Sequence, residues 1–387
     1  MTDALTRRQL LERAAAGSAV LTVPGFLAAC GGSSEKSAAT TASADRTLAK
    51  TLRFSNWTLY IDIDEKTKRR PTLDAFQKKF GVHVNYLEDI NSNDEYFGKV
   101  RGPLSRGQSI DRDIFVLTDN TRYPGLVIDK GWVEKLDHSA VPNLKNLVPA
   151  LQHPGWDPNR DYSLPWQSGM TGIAWNDKLT KPVRTVDQFL TDPALKGKVT
   201  LLDNMGDTLP LVVLANGDDP GKITDDSFKR AMDKLKKAVD SGHVRQFTGN
   251  DYSGMLAKGD LHAAFAWSGD VVQLQADNKH LKYDLPKTGG AIWTDNMMIP
   301  KGGDVYTASV YMNYVYDPAV AAKIAAYVNY ICPVTGAKEV LAKTDPELAN
   351  NPLIFPPKSL LDRVHVMDAK ALGNQSYIEQ WQTLVGA

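Results

Sequence analysis

The hydrophobic positions of this chain change their period repeatedly, in a way that predicts alternating strands and helices. Residues 51–55 have the pattern of a strand, and residues 72–80 place apolar side chains at helical spacing before Gly81. Residues 82–86 then return to a period of two. Together these segments predict a βαβ unit at the start of the folded body.

Short apolar strands recur along the chain, and polar or aromatic residues follow each of them. This pattern is found at residues 114–117, 199–202 and 263–267. In open α/β sheets, ligands bind outside the carboxyl ends of the strands. Trp57, Asp119, residues 203–207 and residues 267–270 lie at such ends. The sequence therefore predicts an α/β protein with its binding site at these strand ends.

The first thirty residues have the layout of a bacterial export signal. Arg7 and Arg8 precede a weakly apolar run that closes with small residues directly before Cys30. Paired arginines are typical of twin-arginine signals, and the end of the run resembles a lipobox, in which Cys30 becomes the acylated terminus. The alternatives are a plain secretory signal or a membrane helix, for which the run is too short. We expect residues 1–29 to be a lipoprotein signal peptide.

Residues 30–50 are rich in Gly, Ser, Ala and Thr and contain almost no large apolar side chain. Such a composition cannot bury enough surface to fold alone, so we expect a flexible tether that begins at the acylated Cys30. The folded body would then lie outside the cytoplasm, anchored by lipid to the cell membrane on its periplasmic or cell-surface side.

The charge balance restricts the class of binding partner, and the cysteine content restricts the disulfides that can form. The chain has 45 basic and 45 acidic residues, and removal of residues 1–29 would leave 42 against 43. This balance argues against nucleic acid, which selects a basic face. Cys332 would be the one cysteine besides Cys30, so no disulfide is expected in the mature chain. Residues 51–387 are long enough for two lobes with an apolar core.

The most informative local chemistry is a tryptophan followed closely by a carboxylate. Trp293 is followed by Asp295, and Trp267 by Asp270. An aromatic face and an anion can together bind one cation. The segments 54–64, 201–214, 263–275, 289–300 and 328–334 contain six aspartates and no Lys or Arg. A receptor for phosphate or carboxylate would be expected to offer basic groups. The pattern therefore predicts a site for an organic polycation.

The chain resembles the polyamine-binding proteins of bacterial ABC importers, the spermidine and putrescine receptors, over nearly all of its mature length. The matching stretches are Asn56-Trp57 with Tyr60-Ile61, residues 131–137, residues 162–166 with 171–174, and residues 289–295. The resemblance implies a two-lobed α/β type II periplasmic-binding-protein fold with ligand held in the cleft. It divides the body into one lobe of residues 51–171 and 295–338 and a second of residues 172–294 and 339–387.

The resemblance also implies a function, partners and site residues. The protein would capture spermidine or putrescine and deliver it, as a monomer, to an ABC permease and ATPase on separate chains. Within an aromatic sleeve, three aspartates could match three amines of spermidine, or two could bind putrescine while the third holds water. The implied ligand-binding residues are Trp57, Thr58, Tyr60, Asp119, Asp207, Trp267, Asp270, Trp293, Asp295 and Tyr330.

Three alternatives remain open at this point. One is a receptor for another ligand such as a sugar, which also stacks on tryptophan. Another is an extracellular polysaccharide-acting enzyme, in which paired aspartates would do acid and base work. The third is a lipoprotein that docks a partner and binds no small molecule. We expect no catalytic residue, metal or cofactor, because the histidines lack metal-ligand spacing and the chain has neither a P-loop nor a GxSxG elbow.

Overall fold

The computed structural model describes residues 46–386. The predicted signal peptide, Cys30 and residues 31–45 of the predicted tether lie outside these residues. Within residues 46–386, no helix combines the length and apolarity needed to cross a bilayer.

The strands confirm those predicted from the hydrophobic pattern and extend some of them. They are β1 (Thr51–Trp57), β2 (His83–Ile90), β3 (Ile114–Thr118), β4 (Val133–Glu134), β5 (Ser163–Asn176), β6 (Val199–Leu202), β7 (Val244–Thr248), β8 (Ala263–Trp267), β9 (Leu281–Asp284), β10 (Gly290–Pro300) and β11 (Val364–His365).

Helices occupy most of the connections between these strands and the end of the described chain. They are α1 (Pro71–Phe80), α2 (Asn93–Ser105), α3 (Tyr123–Asp129), α4 (Val186–Thr191), α5 (Met205–Ala215), α6 (Asp225–Asp240), α7 (Tyr252–Lys258), α8 (Ser268–Gln275), α9 (Val305–Val315), α10 (Pro318–Val328), α11 (Ala337–Leu341), α12 (Pro346–Ala349), α13 (Lys358–Leu361), α14 (Ala369–Gly373) and α15 (Gln375–Val385). Short 3-10 turns occupy His138–Ala140, Pro142–Asn146, Pro149–Leu151 and Pro193–Leu195.

Helix α1 illustrates how local sequence sets these elements. Pro71 starts the helix, where its missing N–H removes no intrahelical bond. Leu73 and Phe76 are buried on one face. Gly81 ends the helix in the left-handed conformation, with φ of 69°, and its N–H donates to the carbonyl of Gln77. The predicted helix at residues 72–80 is confirmed.

The sheet has two parallel halves joined by antiparallel strands. Along its main path the order is β2-β1-β3-β10-β5-β8-β6-β7. Strands β2, β1 and β3 are parallel to one another, and so are β8, β6 and β7. We call the first half, with α1–α3, lobe 1, and the second, with α4–α8, lobe 2. The carboxyl ends of β1, β6 and β8 carry the polar segments that the sequence singled out.

Strands β5 and β10 connect the two lobes. The first part of β5 pairs with β10, which itself pairs with β3 of lobe 1. The last part of β5 pairs with β8 and β9 in lobe 2. All fourteen residues of β5 are buried. Strands β5 and β10 therefore form a continuous piece of sheet that links the two lobes.

The later helices divide between the lobes. In α9, Tyr311 packs edge to face on Phe76, which places this helix on lobe 1. In α15, Tyr377 stacks on Phe228 of α6, which places the last helix on lobe 2. The predicted boundary at residue 338 falls inside α11. The exact residue bounds of the two lobes stay a prediction.

Candidate functional site

A cavity with about 370 Å³ of empty space, part of it continuous with the solvent, lies between the lobes, at the strand ends where the sequence predicted a site. Its walls come from β1, β3 and β10 on one side and from α5, β8 and α8 on the other. The lining residues are Trp57, Thr58, Tyr60, Asn93, Thr118, Asp207, Asn250, Trp267, Asp270, Trp293, Asp295 and Tyr330.

The cavity brings together the predicted site residues with one exception. Trp57, Thr58, Tyr60, Asp207, Trp267, Asp270, Trp293, Asp295 and Tyr330 all line it.

The exception is Asp119, which the structure places outside the lining. Asp119 follows the end of β3, and its carboxylate accepts the backbone N–H of Thr294 at 2.7 Å. Burial raises the pKa of Asp119 to about 6, and the bond from Thr294 acts against that rise. The residue before it, Thr118, has its hydroxyl in the cavity instead. The expectation was one residue out of register, because Asp119 is used to hold β3 against β10.

The aromatic side chains form one continuous chain of ring contacts. Trp57 meets Trp267 with ring centroids 6.0 Å apart, and Trp267 meets Trp293 at 6.1 Å. Trp293 meets Tyr330 at 5.6 Å, and Tyr330 meets Tyr60 at 5.1 Å. Most of these pairs are edge to face, the arrangement that ring quadrupoles favour. The predicted aromatic sleeve is therefore a packed wall that includes residues of both lobes.

A β-bulge supports the tyrosine at one end of this wall. The pairing of β5 with β10 shifts between Asp295 and Asn296, so that Trp166 of β5 has no direct partner. The neighbouring Pro165 cannot donate to a strand ladder, and bulges are a usual place for proline. The indole N–H of Trp166 donates to the carbonyl of Tyr60 at 3.2 Å. The bulge thus fixes Tyr60 beside Asp295.

Asp295 is buried and is bonded by neutral hydroxyls alone. Tyr60 donates to its Oδ2 at 2.7 Å, and Thr118 donates to its Oδ1 at 2.6 Å. Burial raises the pKa of Asp295 to about 7; the two hydroxyls act against this rise, and Asp119 and Asp207 add to it. A cation that arrives beside this carboxyl would favour its ionised form and lower its pKa, so near neutral pH the proton would be lost to solvent as the cation binds.

Asp207 lies in the first turn of α5, close to the positive end of the helix dipole. Its Oδ1 accepts bonds from the hydroxyl of Thr171 and from the indole N–H of Trp267, the latter at 3.2 Å. Asn204, the N-cap of α5, donates to Oδ2 at 2.8 Å. Burial raises the pKa of Asp207 in spite of these donors. The Thr171 oxygen also accepts the indole N–H of Trp293 at 3.1 Å, so both tryptophans are tied to this carboxylate.

Asp270 lies in the first turn of α8. Tyr330 donates to its Oδ1 at 2.6 Å, while Tyr252 and Asn250 donate to Oδ2 at 2.9 and 3.0 Å. Burial raises the pKa of Asp270 to about 6, against the lowering effect of these three donors. Its surroundings include no acid that adds to the rise, whereas Asp207 raises the pKa of Asp295. Asp207 and Asp295 thus act on each other electrostatically, while Asp270 has a separate set of donors, and we call these the two anionic ends of the site.

No Lys or Arg is among the residues that line this cavity. The three carboxylates are bonded only by hydroxyl, indole and amide groups. A buried carboxylate without a cation carries a large desolvation penalty, which the raised pKa values express. The arrangement is therefore suited to a ligand that brings positive charge and a hydrocarbon body for the aromatic wall.

Sequence reasoning missed three lining residues, all of them polar and uncharged. Asn93 exchanges two bonds with Thr118, from its amide to the threonine hydroxyl at 2.8 Å and from the Thr118 N–H to its oxygen at 3.1 Å. Asn250 follows the end of β7 and donates to Asp270. The strand-end rule that selected Trp57 would also have selected Thr118 and Asn250. Asn93 comes three residues after the end of β2, so the same rule also covers it.

Two glycines let the lobes approach closely beside the cavity. A Cβ added to Gly206 of α5 would lie 1.9 Å from the carbonyl oxygen of Asn120 in lobe 1. A Cβ added to Gly249 would lie 2.9 Å from the carbonyl oxygen of Asn91. The amide of Asn204 also donates to the side-chain oxygen of Asn120 at 2.9 Å. These contacts join the lobes directly and describe a closed arrangement.

Comparison with known proteins agrees with this architecture. The family model described as bacterial extracellular solute-binding protein matches residues 72–356. The spermidine/putrescine-binding periplasmic protein 1 of Haemophilus influenzae is 27% identical over 353 residues, covering 90% of this chain and 92% of that protein. The putrescine-binding periplasmic protein PotF of Escherichia coli is 28% identical over 350 residues, covering 83% and 88%.

Solved structures with the same fold were also found. A putative spermidine/putrescine ABC transporter from Listeria monocytogenes has a TM-score of 0.73 and 27% identity, covering 87% of this chain and 98% of its own. A lipoprotein of Treponema pallidum has a TM-score of 0.71 at 21% identity, covering 87% and 100%, a likeness that shows the fold alone. The expected two-lobed periplasmic-binding-protein fold is confirmed.

Gly206→Ala should hinder closure of the lobes. The added methyl group would collide with the Asn120 carbonyl, although alanine itself favours the helix. Small-angle X-ray scattering should give a larger radius of gyration than for the wild type, with unchanged circular dichroism. Gly254→Ala is the matched control, because nothing lies within 4 Å of its Cβ position. Scattering curves that coincide for all three proteins would contradict this assignment.

The stability of the ligand-free protein should depend on the proton held by Asp295. Its pKa is raised from an ordinary 3.8 to about 7, so the folded state holds this proton more tightly than the unfolded state. That contribution is complete below about pH 4 and is lost as the pH rises through about 7. From about pH 5 to pH 7.5 the free energy of unfolding of the wild type should fall as this proton is lost. In Asp295→Asn the fall should be smaller by roughly 2 kcal/mol.

Urea unfolding at both pH values measures this difference directly. Asp260→Asn, at an exposed position in lobe 2, is the control and should keep the wild-type pH dependence. An Asp295→Asn protein with the same pH dependence as the wild type would show that Asp295 is already ionised in the closed cavity.

Proposed function

This chain belongs to the bacterial extracellular solute-binding proteins, and we propose that it captures a polyamine, spermidine or putrescine, in the cavity between its lobes. The observation that carries the proposal is the set of three carboxylates, Asp207, Asp270 and Asp295, enclosed with aromatic rings and without a cationic neighbour in the lining. Each ammonium over a ring gains about 0.5–2 kcal/mol, too little alone to offset its dehydration, so the carboxylates must supply the rest.

The two anionic ends favour a ligand with amines separated by a hydrocarbon chain. One ammonium would lie between Asp207 and Asp295, and a second at Asp270. The methylene groups between them would cross the wall formed by Trp267, Trp293 and Tyr330. Relatives named for spermidine and putrescine support this choice over a sugar, which would leave the carboxylates without a counterion.

Delivery to a membrane importer follows from closure of the lobes. A ligand that bridges residues of both lobes stabilises the closed form, and the closed form is what a permease would recognise. The proposal includes an ABC permease and ATPase on separate chains, a monomeric receptor, and binding without chemical turnover. The proposal also includes the predicted bounds of the lobes, which are residues 51–171 with 295–338 for one lobe and 172–294 with 339–387 for the other.

Isothermal titration of the purified protein with putrescine and spermidine tests the proposed ligand. We expect one-to-one binding that weakens with salt, and no heat from maltose or glutamate. Asp207→Asn and Asp295→Asn should each weaken polyamine binding by about 2–5 kcal/mol, the scale for removing one member of a buried charge pair. Asp260→Asn should leave the affinity unchanged. The proposal fails if no polyamine binds to folded, ligand-free protein, or if both cavity variants bind like the wild type.

We further propose that Cys30 carries the lipid that anchors the protein outside the cytoplasm. Small residues before Cys30 and the Gly/Ser-rich stretch after it support this, and twin-arginine export is part of the same proposal.

In Cys30→Ala, the protein should leave the membrane fraction of cells and should no longer incorporate labelled fatty acid. Cys332→Ala is the matched control, because that thiol is buried, with a pKa raised by burial to about 12. Membrane retention of Cys30→Ala after washing with high salt would exclude an anchor at this position.

A further inference from the structure

Tyr252 connects two members of the proposed ligand site without lining the cavity itself. It is the first residue of α7 and is fully buried. Its hydroxyl lies 2.9 Å from Oδ2 of Asp270 and 3.0 Å from the backbone nitrogen of Trp267. Its ring also packs edge to face on the Trp267 indole, with centroids 5.9 Å apart.

The direction of the hydroxyl proton follows from these two partners. A backbone N–H can only donate, so the Tyr252 oxygen accepts from Trp267. A phenol has one proton, and the remaining partner is the carboxylate of Asp270. The Tyr252 hydroxyl is therefore a committed donor to Asp270, and it favours the ionised form of that carboxyl.

Trp267 extends this connection to the other end of the site. Its backbone nitrogen is held by Tyr252, and its indole N–H donates to Asp207 at 3.2 Å. A shift of the Trp267 backbone would therefore move an aromatic wall residue and a donor to Asp207 together. Among residues 46–386, Tyr252 is the one group with hydrogen bonds both to this backbone nitrogen and to Asp270.

We infer that Tyr252 is a positioning residue for polyamine binding, which holds Asp270 ionised and in register with the Trp267 wall. This inference rests on the proposed function. It assigns a role in ligand binding to a side chain that would act on the ligand through its hydrogen bonds to Asp270 and Trp267.

Three phenols face Asp270, those of Tyr60, Tyr252 and Tyr330, and Asp277 lines an adjoining pocket together with Asp270. Burial raises the pKa of each phenol well above its ordinary value, so all three stay neutral where Asp270 titrates. Loss of the Tyr252 hydroxyl would therefore act on the charge of Asp270 without a compensating change nearby.

The test compares Tyr252→Phe, which keeps the ring, with the wild type in putrescine titrations from pH 5.5 to 8.5. Removing one bond to a charged group should lower the affinity near neutral pH about tenfold. The midpoint of the Asp270 step in the pH dependence should also move upward by about half to one pH unit, because Asp270 loses a donor to its ionised form, while the Asp295 step stays in place. In an Asp270→Asn background, the same substitution should cost less than in the wild type, because only the bond from the Trp267 N–H is left to lose.

Tyr314→Phe is the matched control. Tyr314 is also buried, and its hydroxyl donates to the Thr72 carbonyl at 3.2 Å, a residue of α1 that does not line the cavity. It should lose stability without a shift of the pH midpoint. A Tyr252→Phe protein whose pH midpoint equals that of the wild type, or whose loss persists fully with Asp270→Asn, would overturn the positioning role.

Nuclear magnetic resonance of the wild-type protein gives a second test, which needs no variant. The Tyr252 ring carbon that bears the hydroxyl should shift in step with the side-chain carboxyl carbon of Asp270 as that group titrates. A Tyr252 signal that does not change while Asp270 titrates would overturn the inference, even if the Tyr252→Phe protein does not fold. Absence of polyamine binding by the wild type would instead count against the proposed function.

Discussion

Asp207, Asp270 and Asp295 are enclosed between two lobes with no basic side chain in the cavity lining, and this constraint organises the rest of the site. An ionised carboxylate taken out of water requires donors, and here the donors are hydroxyl, indole and amide groups. Neutral donors hold each carboxylate in place without cancelling its charge. A basic residue among them would have satisfied the aspartates and removed the attraction for a cationic ligand.

The donors also explain why the site depends on the position of both lobes. Asp207 of α5 is bonded by Thr171 on the crossing strand β5 and by Trp267 of lobe 2. The same Thr171 oxygen accepts from Trp293 of β10. Asp295 of β10, in turn, is bonded by Tyr60 and Thr118 of lobe 1. Because the two crossing strands carry members of both networks, movement of one lobe changes the geometry at either carboxylate.

Much of this arrangement could be predicted from sequence, because it follows from strand ends. Trp57, Trp267 and Asp270 come at or just after the ends of buried apolar strands, and in α/β folds ligands bind outside such carboxyl ends. Asp119 shows where that reasoning stops, since which of two adjacent residues faces the cavity depends on the pairing of β3 with β10. Tyr252 and Gly206 matter through contacts with distant segments, Asp270 in one case and Asn120 in the other. Such contacts leave no periodic signal in the chain.

The exclusion of positive charge from the cavity is itself a result of local strand geometry. Arg160 is buried close to the site, yet its guanidinium donates to Ser163, Asn296 and the Leu151 carbonyl. Asn296 is the residue after Asp295, and the bulge between β5 and β10 falls between them. Adjacent side chains of a strand point to opposite faces of the sheet, so Asp295 can line the cavity while its neighbour Asn296 bonds the arginine. The absence of a basic group from the cavity lining thus depends on the partners that hold Arg160 as much as on the aspartates themselves.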